Sequence, residues 1–141
     1  MGAWGTGSFD NDGALDFLAD YREGTVAVVE SVLKDLANLE DGTYIEIDAG
    51  QAAIVAAEVV AACHDNPAAS LDEDMLEDAL VHRAAVVEHL DLIDFATTAL
   101  PKLLVSETSE LAESWEDAEP ADAEAFQTNV ADLLSRLGDI V

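Results

Sequence analysis

The residues able to do chemistry first gather near the start of the chain, in Ser8-Phe9-Asp10-Asn11-Asp12-Gly13-Ala14-Leu15-Asp16. With Ser8 at loop position 1, Asp10, Asp12, Gly13 and Asp16 take positions 3, 5, 6 and 9 of a calcium-binding loop. Position 12, which needs a bidentate Glu, is Ala19, and no incoming helix fits before residue 8. The same run reads as an Asp-rich helix N-terminus that complements the helix dipole, and the missing ligand favours that reading. The histidines are His64, His82 and His89, with Asp78 four residues before His82 and Glu88 next to His89. No H-x-x-x-H, H-E-x-x-H or E-x-x-H pair occurs, so a zinc or di-iron site would have to collect ligands from distant segments. Solvated or capping histidines are expected instead. Gly5-Thr6-Gly7-Ser8 has no preceding strand and no GK[ST], so it is neither a dinucleotide loop nor a Walker loop. Gly-x-Ser-x-Gly is absent, and Cys63, among alanines and valines, reads as a small core residue. No catalytic signature survives.

Helices must position whatever chemistry there is. Residues 1–9 are Gly-rich and aromatic, an irregular lead segment. Asp10 or Asn11 then caps a helix bearing Leu15, Leu18 and Tyr21 that Gly24 closes. A second helix starts near Thr25 and carries Val29, Val32, Leu33 and Leu36 at helical spacing. Tyr44-Ile45-Glu46-Ile47 alternates like a strand but has no evident partner, so an extended connector is expected. Asp48-Ala49-Gly50-Gln51 has the form of a capping box and opens a helix over 49–64 that is apolar nearly all round. Glu58 is its one charge. Gln51, Glu58 and Asp65 recur at i, i+7 and i+14, a narrow stripe expected to meet water. Ser70-Leu71-Asp72-Glu73 reads as a second capping box. A helical period then runs to about Leu100, too long for one helix, with a break or bend expected between His82 and Glu88 and a kink or end near Pro101. A helix over about 107–116 carries Leu111 and Trp115. The last begins at Pro120, presents Phe126, Val130, Leu133, Leu134 and Leu137, and stops at Gly138. The fold expected is an all-α, single compact bundle of six to seven helices spanning 1–141.

The chain's 141 residues carry 31 Asp+Glu against 5 Lys+Arg, a formal net charge of -26. Half the residues are apolar, enough for a real core rather than a disordered acidic tail. Such a surface repels phosphate backbones and anionic lipid, so direct nucleic-acid binding and membrane association are not expected. The single cysteine fits a reducing cytoplasm. Met1-Gly2-Ala3-Trp4-Gly5-Thr6 matches a myristoylation pattern formally, but acidic residues follow where a basic second signal belongs. No signal peptide is visible, and the most apolar run, 52–63, is too short to span a bilayer.

The opening Met1-Gly2-Ala3-Trp4-Gly5, with Phe9-Asp10-Asn11-Asp12, Ala14 and Asp16, resembles the start of a bacterial family, domain of unknown function 4259. Tyr44 to Gly50 leading into 56–62, then Ser109-Glu110-Leu111 with Trp115, and 130–137, extend the resemblance over most of the chain. The segment from about 66 to 90 matches least, and Ser114 replaces an expected apolar residue. The resemblance implies a small bacterial domain and supplies no catalytic residues. It draws attention to the N-terminal motif, which has two readings. In the structural one, Gly2, Gly5 and Gly7 beside Trp4 pack the backbone tightly while Asn11 and Asp12 hydrogen-bond the turn. In the functional one, Trp4, Asp10, Asp12 and Glu58 line one acidic cleft.

The function expected is that of a non-catalytic, protein-binding factor, immunity-type or regulatory, with a basic protein as partner and no cofactor. The alternative is a divalent-metal-dependent hydrolase or metal-binding module that uses dispersed carboxylates with a histidine. Solubility or saline adaptation would also account for the acidity, and nucleic-acid mimicry would require charges in rows. Over roughly 7,000 Å² of surface the net charges lie about 16 Å apart, against a Debye length of about 8 Å in physiological salt and about 30 Å at 0.01 M. Self-repulsion is therefore felt in dilute buffer and screened in the cell. Thermal melts should show Tm rising by a few degrees between about 0.01 M and 0.5 M KCl. A flat Tm would contradict this reading of the charge.

Overall fold

A helix that is apolar on every side has to be surrounded, and the segment 47–63 sets the architecture for that reason. The computed structural model describes residues 12–40, 42–68 and 71–140, and the fold is all-α. Among the described residues the helices are α1 (Asp12–Glu23), α2 (Val26–Ala37), α3 (Ile47–Cys63), α4 (Glu73–Ala79), α5 (Arg83–Glu88), α6 (Asp91–Ala99), α7 (Glu110–Glu116) and α8 (Pro120–Gly138). A 3-10 segment, Leu100–Leu104, follows α6. The central helix α3 touches all seven others. Its Ala53, Val55, Ala56, Ala57, Val59, Val60 and Ala61 are fully buried, and their small size lets neighbouring backbones come close. Gly50 is a close approach of this kind. A Cβ there would lie 3.3 Å from Leu111 Cδ2, so a larger residue would push against the Leu111 side chain of α7.

Among the described residues there are eight α-helices where six or seven are expected, because the long apolar period over 71–100 is cut twice. Tyr21 makes the first cut. Its hydroxyl donates to Ala79 O (2.8 Å) and accepts from His82 N (3.2 Å), so an α1 side chain occupies the gap between α4 and α5. Inserting a side chain into the backbone ladder is a known cause of a helix break. The second cut falls at His89 and Leu90. The breaks thus flank the 82–88 window rather than falling inside it. Near Pro101, where a kink or end is expected, α6 ends at Ala99 and the chain tightens into the 3-10 segment, with Pro101 at a first helical position that needs no amide partner.

Both capping boxes fall differently from their sequence form. The helix α3 begins at Ile47, ahead of Asp48, and the Ile47 amide is satisfied by Glu110 Oε1 of α7 at 2.8 Å. Capping in trans frees Gln51 from any reach-back role, and it is buried. At α4 the cap is Asp72, whose carboxylate accepts from Met75 N at 2.9 Å, and Ser70 lies outside the described residues. The connector before α3 does have a partner, a single parallel bridge from Ile45 to Ser109. Ile45 N donates to Thr108 O (2.7 Å) and Glu110 N to Ile45 O (2.9 Å), which ties the start of α7 to the start of α3. Lys102 closes α2: its ammonium donates to Leu36 O, Ala37 O and Leu39 O at 2.8–3.0 Å, carbonyls at and just beyond the helix end. No helix among the described residues is long and apolar enough to cross a membrane.

Candidate functional site

Of the four residues nominated for an acidic cleft, Trp4 and Asp10 lie outside the described residues, Asp12 opens α1, and Glu58 sits in the middle of α3. The stripe on which Glu58 lies does not meet water. Gln51 is buried, Glu58 is 1 % exposed, and only Asp65, beyond the helix, is open to solvent. The expected solvent-facing stripe is corrected: α8 covers α3 at Glu58, while Gln51 lies where α3 meets α1 and α2. The covering helix carries a matching charge.

Arg136 of α8 grips the Glu58 carboxylate with two nitrogens, Nη1 to Oε1 at 2.8 Å and Nη2 to Oε2 at 3.2 Å. Its Nε donates to Asp132 at 2.8 Å, one helical turn back. Asn66 completes the lock, donating from Nδ2 to Arg136 O (2.9 Å) while its own carbonyl accepts from Arg136 Nη1 (3.3 Å). Burial opposes the charge on Arg136, but the hydrogen bonds and charges of Glu58 and Asp132 outweigh it, so its pKa lies above the ordinary value. This is a bidentate, desolvated pair bridging α3, the loop after it and α8. With its carboxylate engaged by a guanidinium, Glu58 acts as a brace. Sequence reasoning missed Arg136, yet a signal was there. The one charge within the apolar run of the central helix needs a buried counter-charge, and Arg136 adjoins Leu137 on the α8 stripe.

A second polar cluster joins Tyr21, Cys63 and His82. His82 Nε2 lies 3.0 Å from Tyr21 O, the two rings meet edge to face at 5.0 Å, and Cys63 Sγ donates to Ala79 O at 3.4 Å. Burial pushes the thiol up to about 11, and burial together with nearby Cys63 raises the Tyr21 phenol as well. A nucleophilic cysteine needs the opposite, a depressed pKa in an accessible electropositive setting. The cluster splices α1, α3 and α4. The other histidines go elsewhere: His64 follows the end of α3, and His89 pairs with Glu30 of α2. Among the described residues no group of three or more His, Cys, Asp or Glu is placed to hold a metal ion.

Two of the surface depressions among the described residues combine apolar side chains with carboxylates at a junction of several helices. One, of about 580 Å³, lies where α1, α2 and the start of α3 meet, with Phe17, Val28 and Val32 as floor and Asp16, Asp20 and Asp48 on its walls. The other, of about 530 Å³, is a groove between the 3-10 segment, α7 and α8, lined by Leu104, Trp115 and Phe126 with Glu116 and Glu124 at its edge. Neither is lined by a lysine or arginine.

The brace and the buried thiol each have a measurable consequence. Arg136→Ala should lower unfolding free energy by about 3–5 kcal/mol, because it deprives a buried carboxylate of its guanidinium. Asp132→Asn, at a largely exposed partner, should cost less than about 1 kcal/mol. Denaturant melts of both variants check this, and equal effects would contradict it. Raised folded-state pKa values mean that the folded chain holds these protons more tightly than the unfolded chain does. The thiol's contribution is fully present below its ordinary value of 9.0 and is lost as pH rises toward about 11. Melts between pH 8 and 11 should show Tm falling, with a shallower fall in Cys63→Ala.

No curated protein and no solved structure matches the chain. A family model, Domain of unknown function (DUF4259), matches residues 2–129. The match takes in the central α3, the braces from α1 and α4, and α8 as far as Asn129. The chain belongs to the DUF4259 family.

Proposed function

We propose that this protein is a non-catalytic binding factor, of immunity or regulatory type, whose acidic surface holds a basic protein partner. The observation that carries this reading is where the five cations go. Arg136 is buried against Glu58, Lys102 closes α2, and Arg22 and Arg83 join Asp78 and Asp65 across separate segments. Lys34 lies in the last turn of α2, where it complements the helix dipole. Four of the five are thus engaged in contacts that hold the chain together, and most of the remaining described carboxylates are exposed, with little positive charge among them. Such a field accelerates encounter with a basic surface and rejects an acidic one. It also repels phosphate backbones.

Affinity capture from a lysate of the source organism at about 0.05 M and about 0.5 M salt, read by mass spectrometry, tests the proposal. A basic protein retained in one-to-one amount at low salt and released at high salt is the expected result. An acidic partner, or retention indifferent to salt, would overturn it.

A further inference from the structure

The groove between α7 and α8 is more specific than the charge around it. Only residues 117–119 separate the two helices, so Trp115, in the last turn of α7, is brought onto Phe126 of α8. The rings stack with centroids 6.3 Å apart and planes 22° from parallel. Phe126 is buried, whereas Trp115 is half-buried and lines the groove. Pro120 and Ala123, both small, line it too. Glu116 and Glu124, both exposed, are its carboxylates, and the exposed Asp117, Glu119 and Asp122 lie beside them in sequence.

This combination selects its guest. A purely apolar side chain would suit the floor but would strip water from Glu116 and Glu124 without replacing it. A lysine would meet the carboxylates as a compact, strongly hydrated point charge. An arginine satisfies both surfaces, since its planar guanidinium stacks on an indole while its N–H fork reaches carboxylates. We infer that the α7–α8 groove is the docking point for an arginine side chain of the basic protein partner, held over Trp115 between Glu116 and Glu124. The inference rests on the proposed function for the identity of the partner, and on the groove's own lining for the arginine.

The test titrates the full chain with a nona-arginine peptide and, for comparison, a nona-lysine peptide of equal charge, followed by amide and indole NMR shifts at about 0.05 M salt. The groove predicts shifts concentrated at the Trp115 indole N–H and the amides of Ala123, Glu124 and Gln127, with arginine favoured over lysine by about threefold or more. Ala123→Arg places a cation in the groove at a partly exposed position that suits a helix former. It should reduce nona-arginine affinity by about tenfold or more while leaving the melt unchanged. Trp115→Phe should remove most of the arginine preference without emptying the core position. Shifts spread evenly over all acidic helices, or wild-type affinity in Ala123→Arg, would overturn the groove. A captured basic partner that binds Ala123→Arg as tightly as the parent also overturns the groove while leaving the proposed function intact. Localised binding of nona-arginine with no basic protein captured from lysate supports the groove and overturns the partner reading instead.

Discussion

The Glu58–Arg136 pair is the contact on which the arrangement of the bundle turns. Every other helix leans on α3, and α3 is held by packing that has little direction of its own, since alanines and valines interdigitate in more than one rotation. One charge in the middle of that helix removes the ambiguity. Glu58 can be buried only where a guanidinium meets it, and the bidentate geometry fixes both the rotation of α3 and the axial position of α8. Asn66, bonded to Arg136 through two separate contacts, carries that constraint into the loop leaving α3. The energetic value of such a pair lies in what its rupture would cost rather than in net gain over an apolar pair.

A scarcity of cations shapes the rest. With five positive residues and 31 acidic ones, a cation placed on the surface would be one among many attractions, and one placed between segments becomes a brace. Lys102 closes α2 from the segment after α6, and Arg22 and Arg83 tie α1 and the start of α5 to distant carboxylates. The exposed braces are screened by salt, whereas the buried one is not. Tying most of the positive charge into pairs and caps leaves the exterior field negative. Stability and the capacity to attract a basic surface then follow from the same distribution.

Much of the fold was readable because helical periodicity reports which face is buried. The stripe of Phe126, Val130, Leu133 and Leu137 lies buried as expected, α3 is central, and Pro120 and Thr25 stand at the helix starts their types favour. Three features were not readable, and each is a contact between residues far apart in sequence. Tyr21 splits α4 from α5 across 58 residues, Glu110 caps α3 across 63, and Arg136 meets Glu58 across 78. A period of 3.6 says that Glu58 shares a stripe with Gln51 and Asp65, but not whether water or another helix lies against it. The groove at Trp115 was hidden for the same reason. Trp115 and Phe126 read separately as core residues, and only the short turn between α7 and α8 brings them together.

The division of charge into an internal brace and an outward field is tested most directly by a pair of double-mutant cycles, run by denaturant unfolding at low and high salt. For Glu58→Gln with Arg136→Met, the coupling energy should exceed about 2 kcal/mol and change little between about 0.05 M and 0.5 M salt. For Asp65→Asn with Arg83→Met, it should stay below about 1 kcal/mol and fade as salt is added. Equal couplings in the two cycles, or a Glu58–Arg136 coupling abolished by salt, would contradict the account.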